Sequence, residues 1–283
     1  MNPSSSQLDS TFRRMWRWYY AVPPEKGAWV WWIGPMIVGI GAARHLTPEL
    51  ALLIGAALSG FMIKQPLTLV VKVMSGRRGS PDWGPGIAWT LIYTVVVSAF
   101  AAALAMAGHV RVLLTGAVGL PLFAWHLWLV SRGEERRQIV VDIAAAGVLA
   151  LTAPAAYWTC GGADASVPWV VWVLTWLQSS ASIVHAFLRL QQRKLKEAPS
   201  LSERWRSGVP SLLHHVLNVA VAIVLAVGGL APALTAVAFI VPLADGIEGV
   251  MRPPVGVKPG RIGMRQLGVT SVFAGLMLIA YLV

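Results

Sequence analysis

Residues 50–71 read LALLIGAALSGFMIKQPLTLVV, twenty-two positions with a single charge, Lys64. A helix rises 1.5 Å per residue, so a run of this length spans the roughly 30 Å hydrocarbon core of a bilayer. Similar runs follow along the chain, at about 28–43, 86–107, 110–130, 139–159, 167–188, 211–228, 231–245 and 266–283. Only 12% of the 283 residues are charged, against about 25% in soluble domains. That composition excludes an ordinary cytosolic or secreted enzyme. It predicts an all-α, polytopic membrane bundle of about nine transmembrane helices, with residues 28–283 forming a single transmembrane domain. Residues 1–27 read as a cytoplasmic interfacial segment, because Thr11–Tyr20 mixes Arg with Trp and Tyr. They lack the apolar run and cleavage site of a signal peptide.

Basic residues orient the bundle. With the N-terminus inside, alternate connectors hold 20 of the 23 Lys and Arg on the cytoplasmic side. Arg44 and Arg111 lie outside and Lys64 within a span. Cytoplasmic loops carry this excess, so the C-terminus is expected outside, in a multi-pass plasma or inner membrane protein. The formal charge of +11 then reflects a face beside anionic lipid, and nucleic acid is not an expected partner. Cys160 is the sole cysteine, which leaves no disulfide framework and no paired-thiol metal site.

Ionisable groups inside spans are costly in lipid and mark candidate sites. On the second span, Lys64, Thr68 and Lys72 recur every fourth residue, with Gln65 beside them. On the sixth, Gln178, Ser182, His185 and Arg189 follow an i, i+4, i+7, i+11 stripe that should face protein. These eight form the expected ligand-binding set, a cationic lining open to the cytoplasm. His126, Asp142, His214, Asp245 and Glu248 are secondary candidates, the last two expected just past the end of the eighth span. Each has a structural alternative. Lys72 and Arg189 would mark the membrane surface; His126 and His214 would pack; Asp245 and Glu248 would pair with Arg252; Lys64 would pair with Asp142. The acids share no face suited to a Mg²⁺ cage, so neither metal nor cofactor is expected. Prolines 35, 66, 121, 154 and 242 are expected to bend their helices.

Residues 23–29, Pro-Pro-Glu-Lys-Gly-Ala-Trp, resemble the signature of the YwiC-like membrane proteins, usually Pro-x-Glu-His-Gly-Ala-Trp. The resemblance singles out Glu25, Lys26, Gly27 and Trp29, with Lys26 in place of the histidine. Lys258–Gly263 (KPGRIG) is similar to the same family. Nine helices with the N-terminus inside also resemble the UbiA prenyltransferase superfamily. Its Asp-rich second-helix motif has its offsets matched here by Lys64, Gln65, Thr68 and Lys72. This resemblance implies a lipid site whose Mg²⁺-holding carboxylates are replaced by cations. The expected ligand is an anionic amphiphile, an isoprenoid or phospholipid head, and the expected partners are membrane lipids. A small-anion transporter and a scaffold subunit of a membrane complex are the alternatives.

Overall fold

A computed structural model describes residues 16–24, 26–135 and 138–283, with nothing said of the Lys26 side chain. No strand occurs among them. The helices are α1 Trp18–Ala21, α2 Lys26–Ala43, α3 Glu49–Met62, α4 Lys64–Met74, α5 Trp83–Met106 and α6 Val110–Arg132. They continue as α7 Ile139–Ala150, α8 Thr152–Thr159, α9 Val167–Gln192, α10 Leu201–Val227, α11 Leu234–Met251 and α12 Pro259–Leu282. Among the described residues, eight helices are long and apolar enough to cross a membrane, and Gly27–Ala43 adds a shorter apolar one. The chain is a polytopic helical membrane protein.

Two of the crossings are broken by proline. Pro66 has no N–H to offer the carbonyl of Met62, one turn back, and its ring crowds that carbonyl. The crossing Glu49–Met74 accordingly divides at Ile63 into α3 and α4. Pro154 stands in the same relation to Ala150, and Ile139–Thr159 divides at Leu151 into α7 and α8. Pro35, Pro121 and Pro242 lie inside continuous helices, as does Pro210.

Three span boundaries differ from the apolar runs. The seventh crossing begins at Leu201 rather than 211, because Ser200 and Glu203 form a reciprocal capping box. The eighth runs to Met251 rather than 245, so Asp245 and Glu248 lie within α11 and not beyond it. The ninth starts at Pro259, which brings Arg261 and Arg265 into α12. Hydropathy drops the polar turns at helix ends although their backbone stays helical. Between α10 and α11, Gly229 adopts φ +70°, and the amide of Leu230 donates to the Leu225 carbonyl at 2.9 Å. That cap closes the tight connection at Gly228-Gly229.

The described residues fall into two compact units. The first takes Pro48–Leu113 and Leu120–Gln138 with the described residues before Glu25. The second takes Lys26–Thr47, Leu114–Gly119 and Ile139–Val283. In the first, Gly55 lets the Phe100 ring of α5 lie on α3, where a Cβ would stand 2.5 Å from the ring. Tyr93 of α5 donates to the Ala21 carbonyl at 3.0 Å, and Tyr20 donates to Asp82 at 2.6 Å, tying α1 to the unit.

In the second unit the core gathers Val38, Val171, Leu174, Ala238, Phe239, Phe273 and Met277 from α2, α9, α11 and α12. The Phe239 and Phe273 rings meet edge to face, 4.8 Å between centroids. Gly39 admits the Ala153 backbone so closely that a Cβ would collide with its carbonyl, and Thr152 donates to the Trp32 carbonyl at 2.8 Å. Small residues at a helix contact are how membrane helices gain packing when lipid supplies no hydrophobic drive. Trp172 and Trp176 of α9 donate to the carbonyls of Gly147 and Ile143, each at 2.8 Å, and fasten α9 to α7.

Candidate functional site

The polar stripe predicted on the sixth span is buried protein-side surface. Gln178, Ser182, His185 and Arg189 all face inward on α9, and Gln192 extends the stripe by one turn. Opposite them, α10 presents Ser211, His215 and Asn218, which repeat the i, i+4, i+7 spacing and are also buried. Helix α11 contributes Asp245 and Glu248, and α12 contributes Arg265 and Gln266. Contacts of Ser182, His185 and Arg189 with Gln266, Ser211, His215, Asp245 and Gly249 bring the four helices together, while Gln178 lies further along α9, where Asn218 donates to the Leu177 carbonyl.

Pairing inside this cluster is uneven. Asp245 is well held. Its Oδ1 accepts from Arg265 Nε at 2.5 Å and its Oδ2 from the Gln266 amide at 3.1 Å. Gln266 in turn accepts from the Ser182 hydroxyl at 2.9 Å. Arg265 also pairs with Glu248, which lies 3.9 Å from the exposed guanidinium of Arg252. The expected local pairing of Glu248 with Arg252 is therefore present, but Arg265, counted from sequence only as a loop charge, is the principal partner of both acids.

The α9 side is different. His185 Nδ1 lies 2.9 Å from Ser211 Oγ, while its Nε2 stands 3.6 Å from Asp245 Oδ2, too far for a hydrogen bond. The His185 and His215 rings meet edge to face at 5.9 Å. Arg189 is only 6% exposed, yet its Nε and Nη1 have no hydrogen-bond partner among the described residues. Gln178 Oε1, both amide atoms of Gln192, and Nε2 of His185 and of His215 are enclosed in the same condition. Buried polar groups are paired in the great majority of cases, because an unmade bond there costs about 1–3 kcal/mol and more for a charge.

Two glycines make the approach possible. A Cβ on Gly249 would stand 2.5 Å from both Arg189 Nη1 and His185 Cε1, and one on Gly246 would stand 2.8 Å from His215 Cδ2. The cationic and imidazole groups therefore lie directly on the backbone of α11. Their spacing, three residues apart, keeps both glycines on one face.

Of the other expected site residues, Lys64, Gln65, Thr68, Lys72 and His126 belong to the first unit, and Gly27, Trp29, Asp142 and His214 to the second. Lys72 Nζ pairs with Glu135 at 3.2 Å, and Arg77 forks onto the same carboxylate at 2.9 and 3.1 Å. Burial alone would raise the Glu135 carboxyl, but the hydrogen bonds from Arg77 and Lys72 hold it down at about 2. Gln65 donates to the Tyr19 carbonyl at 3.0 Å, a packing role. Lys64 opens α4, and Thr68, one turn on, keeps an enclosed hydroxyl without a partner. His126 lies on α6 and Asp142 in the first turn of α7. His214 is half-buried and donates back to the Pro210 carbonyl of its own helix at 2.7 Å; its neighbour His215 is the one that faces the cluster. Gly27 and Trp29 open α2, with Trp29 6.3 Å from Trp32, while Glu25 lies outside the described residues.

The fold and this interhelical polar cluster define a multi-pass membrane protein with ionisable side chains gathered between its helices. Residues 22–157 match the family model described as YwiC-like protein, the family that the motif at residues 23–29 resembles. The cluster on α9–α12 lies entirely beyond the matched residues, as does Lys258–Gly263. No curated protein and no solved structure matches the chain.

Proposed function

We propose that the second unit binds an anionic oxygen group, a phosphate ester or carboxylate, between α9, α10 and α11, and that this group is the head of an amphiphile. The observation that carries the reading is Arg189: a guanidinium buried beside Gly249 with two N–H groups unanswered. Arg presents donors in a planar fork suited to phosphate and carboxylate, and such charge-assisted bonds are about twice as strong as neutral ones. Gln192 and His185, each within about one turn of Arg189 on α9, and His215 beside His185 supply further unanswered polar atoms. An anion there satisfies several orphaned donors at once.

Beside the cluster, Leu213, Val216 and Leu217 of α10 and Ile247 of α11 are exposed apolar side chains, which offer a tail hydrocarbon surroundings next to a polar head. The bias of basic residues toward alternate connectors supports a cluster that faces the cytoplasm in a plasma or inner membrane. On the UbiA-like reading, the lipid would be held by cations where relatives of that fold use carboxylates and Mg²⁺. Membrane lipids are then both solvent and ligand.

Calorimetric titration of the full-length protein in detergent tests the reading with two probes. One is short-chain phosphatidylglycerol; the other is dimethyl phosphate, the same phosphodiester without tails. Saturable binding of the lipid, weakened at least about tenfold in Arg189→Gln, is expected. Equal binding of both probes would assign the site to a free anion instead. The reading fails if neither probe saturates, or if Arg189→Gln binds as the wild type does.

A further inference from the structure

We infer that the anion enters this site together with one proton, carried by the His185–His215 pair. The inference rests on the anion-binding reading and adds the charge coupling that the reading demands. Within the cluster stand two carboxylates, Asp245 and Glu248, and two guanidiniums, Arg189 and Arg265. With both imidazoles neutral, these charges cancel. A monoanion added to this arrangement leaves one negative charge without compensation between membrane helices, where an unpaired charge costs several kcal/mol. A proton on an imidazole restores the balance.

His185 is built to receive it. The ring is fully buried, with Nδ1 on the Ser211 hydroxyl and Nε2 unpaired 3.6 Å from the Asp245 carboxylate. In the imidazolium both nitrogens donate: Nδ1–H meets the Ser211 hydroxyl oxygen at 2.9 Å, and Nε2–H faces Asp245 Oδ2 across 3.6 Å. A neutral ring satisfies at most one of those two contacts as a donor. His215 lies 5.9 Å away, ring to ring, so a second proton would meet the first at close range. One proton per pair is the expected load.

The groups facing His185 come from every side. Helix α10 contributes Ser211 and His215; α11 contributes Asp245, Glu248 and the bare backbone at Gly249. Helix α12 contributes Arg265, and α9 itself contributes Arg189 one turn on. On α7, Asp142 neighbours Ile143, whose carbonyl is taken by Trp176, nine residues before His185. The paired groups continue toward the exposed side of the cluster. Asp245 joins Arg265, Arg265 joins Glu248, and Glu248 lies beside Arg252, whose side chain is 82% exposed. The step is a binding equilibrium: the proton comes from solvent and bonds to an imidazole nitrogen, and no other bond forms or breaks.

The test uses the full chain in detergent and short-chain phosphatidylglycerol, whose phosphodiester keeps one negative charge from about pH 5 to about pH 8. Calorimetry in two buffers of different ionisation enthalpy counts protons taken up per lipid bound. About one is expected in the wild type, with affinity rising up to about tenfold for each unit fall in pH across the titrating range. His185→Gln should bind with no uptake and a flat pH profile. Ser211→Ala, a smaller change, should keep the coupling but move it to lower pH, because the imidazolium loses an acceptor. Saturable binding with no proton uptake in the wild type would overturn the coupling and leave the anion site standing. An unshifted profile in Ser211→Ala, or undiminished uptake in His185→Gln, would also overturn it. Absence of binding altogether would sink both.

Discussion

Each unit contains a knot of charge, and the two knots are resolved in opposite ways. In the first, one carboxylate, Glu135, lies outside the spans and collects both Lys72 and Arg77. The Arg77 fork also reaches the Val130 carbonyl that ends α6, so the knot fastens a helix end to the turn after α4. Every strong donor there is answered. In the second, the charges sit inside the spans; the acids and Arg265 answer one another, while Arg189 and the Nε2 atoms of His185 and His215 stay unpaired beside the backbone of α11. A closed knot at a helix end is a fastening. An open one between membrane helices is a candidate site.

Five substitutions sharpen that contrast. The largest effect is expected from Asp245→Ala, which leaves half-exposed Arg265 with Glu248 alone and frees Gln266. Unfolding in detergent should show a loss of about 3 kcal/mol, the low end for a buried pair deprived of one member, because Arg265 keeps its second partner. Next comes Gly249→Ala, whose methyl must displace Arg189 or His185. Thermal unfolding should fall by about 1–3 kcal/mol, and lipid binding should be lost more completely than stability.

Glu135→Gln opens the first knot and should cost about 1 kcal/mol, since its partners reach solvent and screening is effective. The wild-type contribution has a defined pH window. The folded carboxyl sits near 2 against an ordinary value of 4.5, so its stabilisation is complete above about pH 4.5 and fades as pH falls toward 2. A pH series of unfolding midpoints for wild type and Glu135→Gln should converge at the acid end. The smallest effect, within about 0.5 kcal/mol, is expected for His214→Ala, whose ring bonds only to its own helix. His215→Ala measured beside it should be plainly larger, and equal losses would erase the distinction between the two histidines.

Much of this arrangement was legible along the chain, and the failures are instructive. The α9 stripe was visible because four polar residues at helical spacing within one apolar run admit only an inward face. The same rule applied to α10 would have found Ser211, His215 and Asn218, and would have put His214 off the stripe, since adjacent residues lie about 100° apart on a helix. Arg265 and Gln266 were hidden by a boundary. Hydropathy begins the last span at 266, so a half-buried helical arginine is counted among loop charges, although Pro259 at the first helical position announces the earlier start. Gly246 and Gly249 carry no side chain for periodicity to read. Their role exists only against His215, His185 and Arg189. Nor did spacing alone reveal that Gln65 is occupied by the Tyr19 carbonyl or Lys72 by Glu135.

The interruptions at Ile63 and Leu151 have a mechanical corollary. A continuous helix transmits twist and tilt from one membrane surface to the other as a single shaft. A proline that deletes one rung of the ladder turns the shaft into two short rods joined end to end. Rotation imposed on Lys64–Met74 therefore need not reach Glu49–Met62, and the same decoupling applies across Ala150 and Thr152. Two crossings of this protein are thus jointed at mid-depth, where either half is free to re-aim its own leaflet's side chains while the other stays seated.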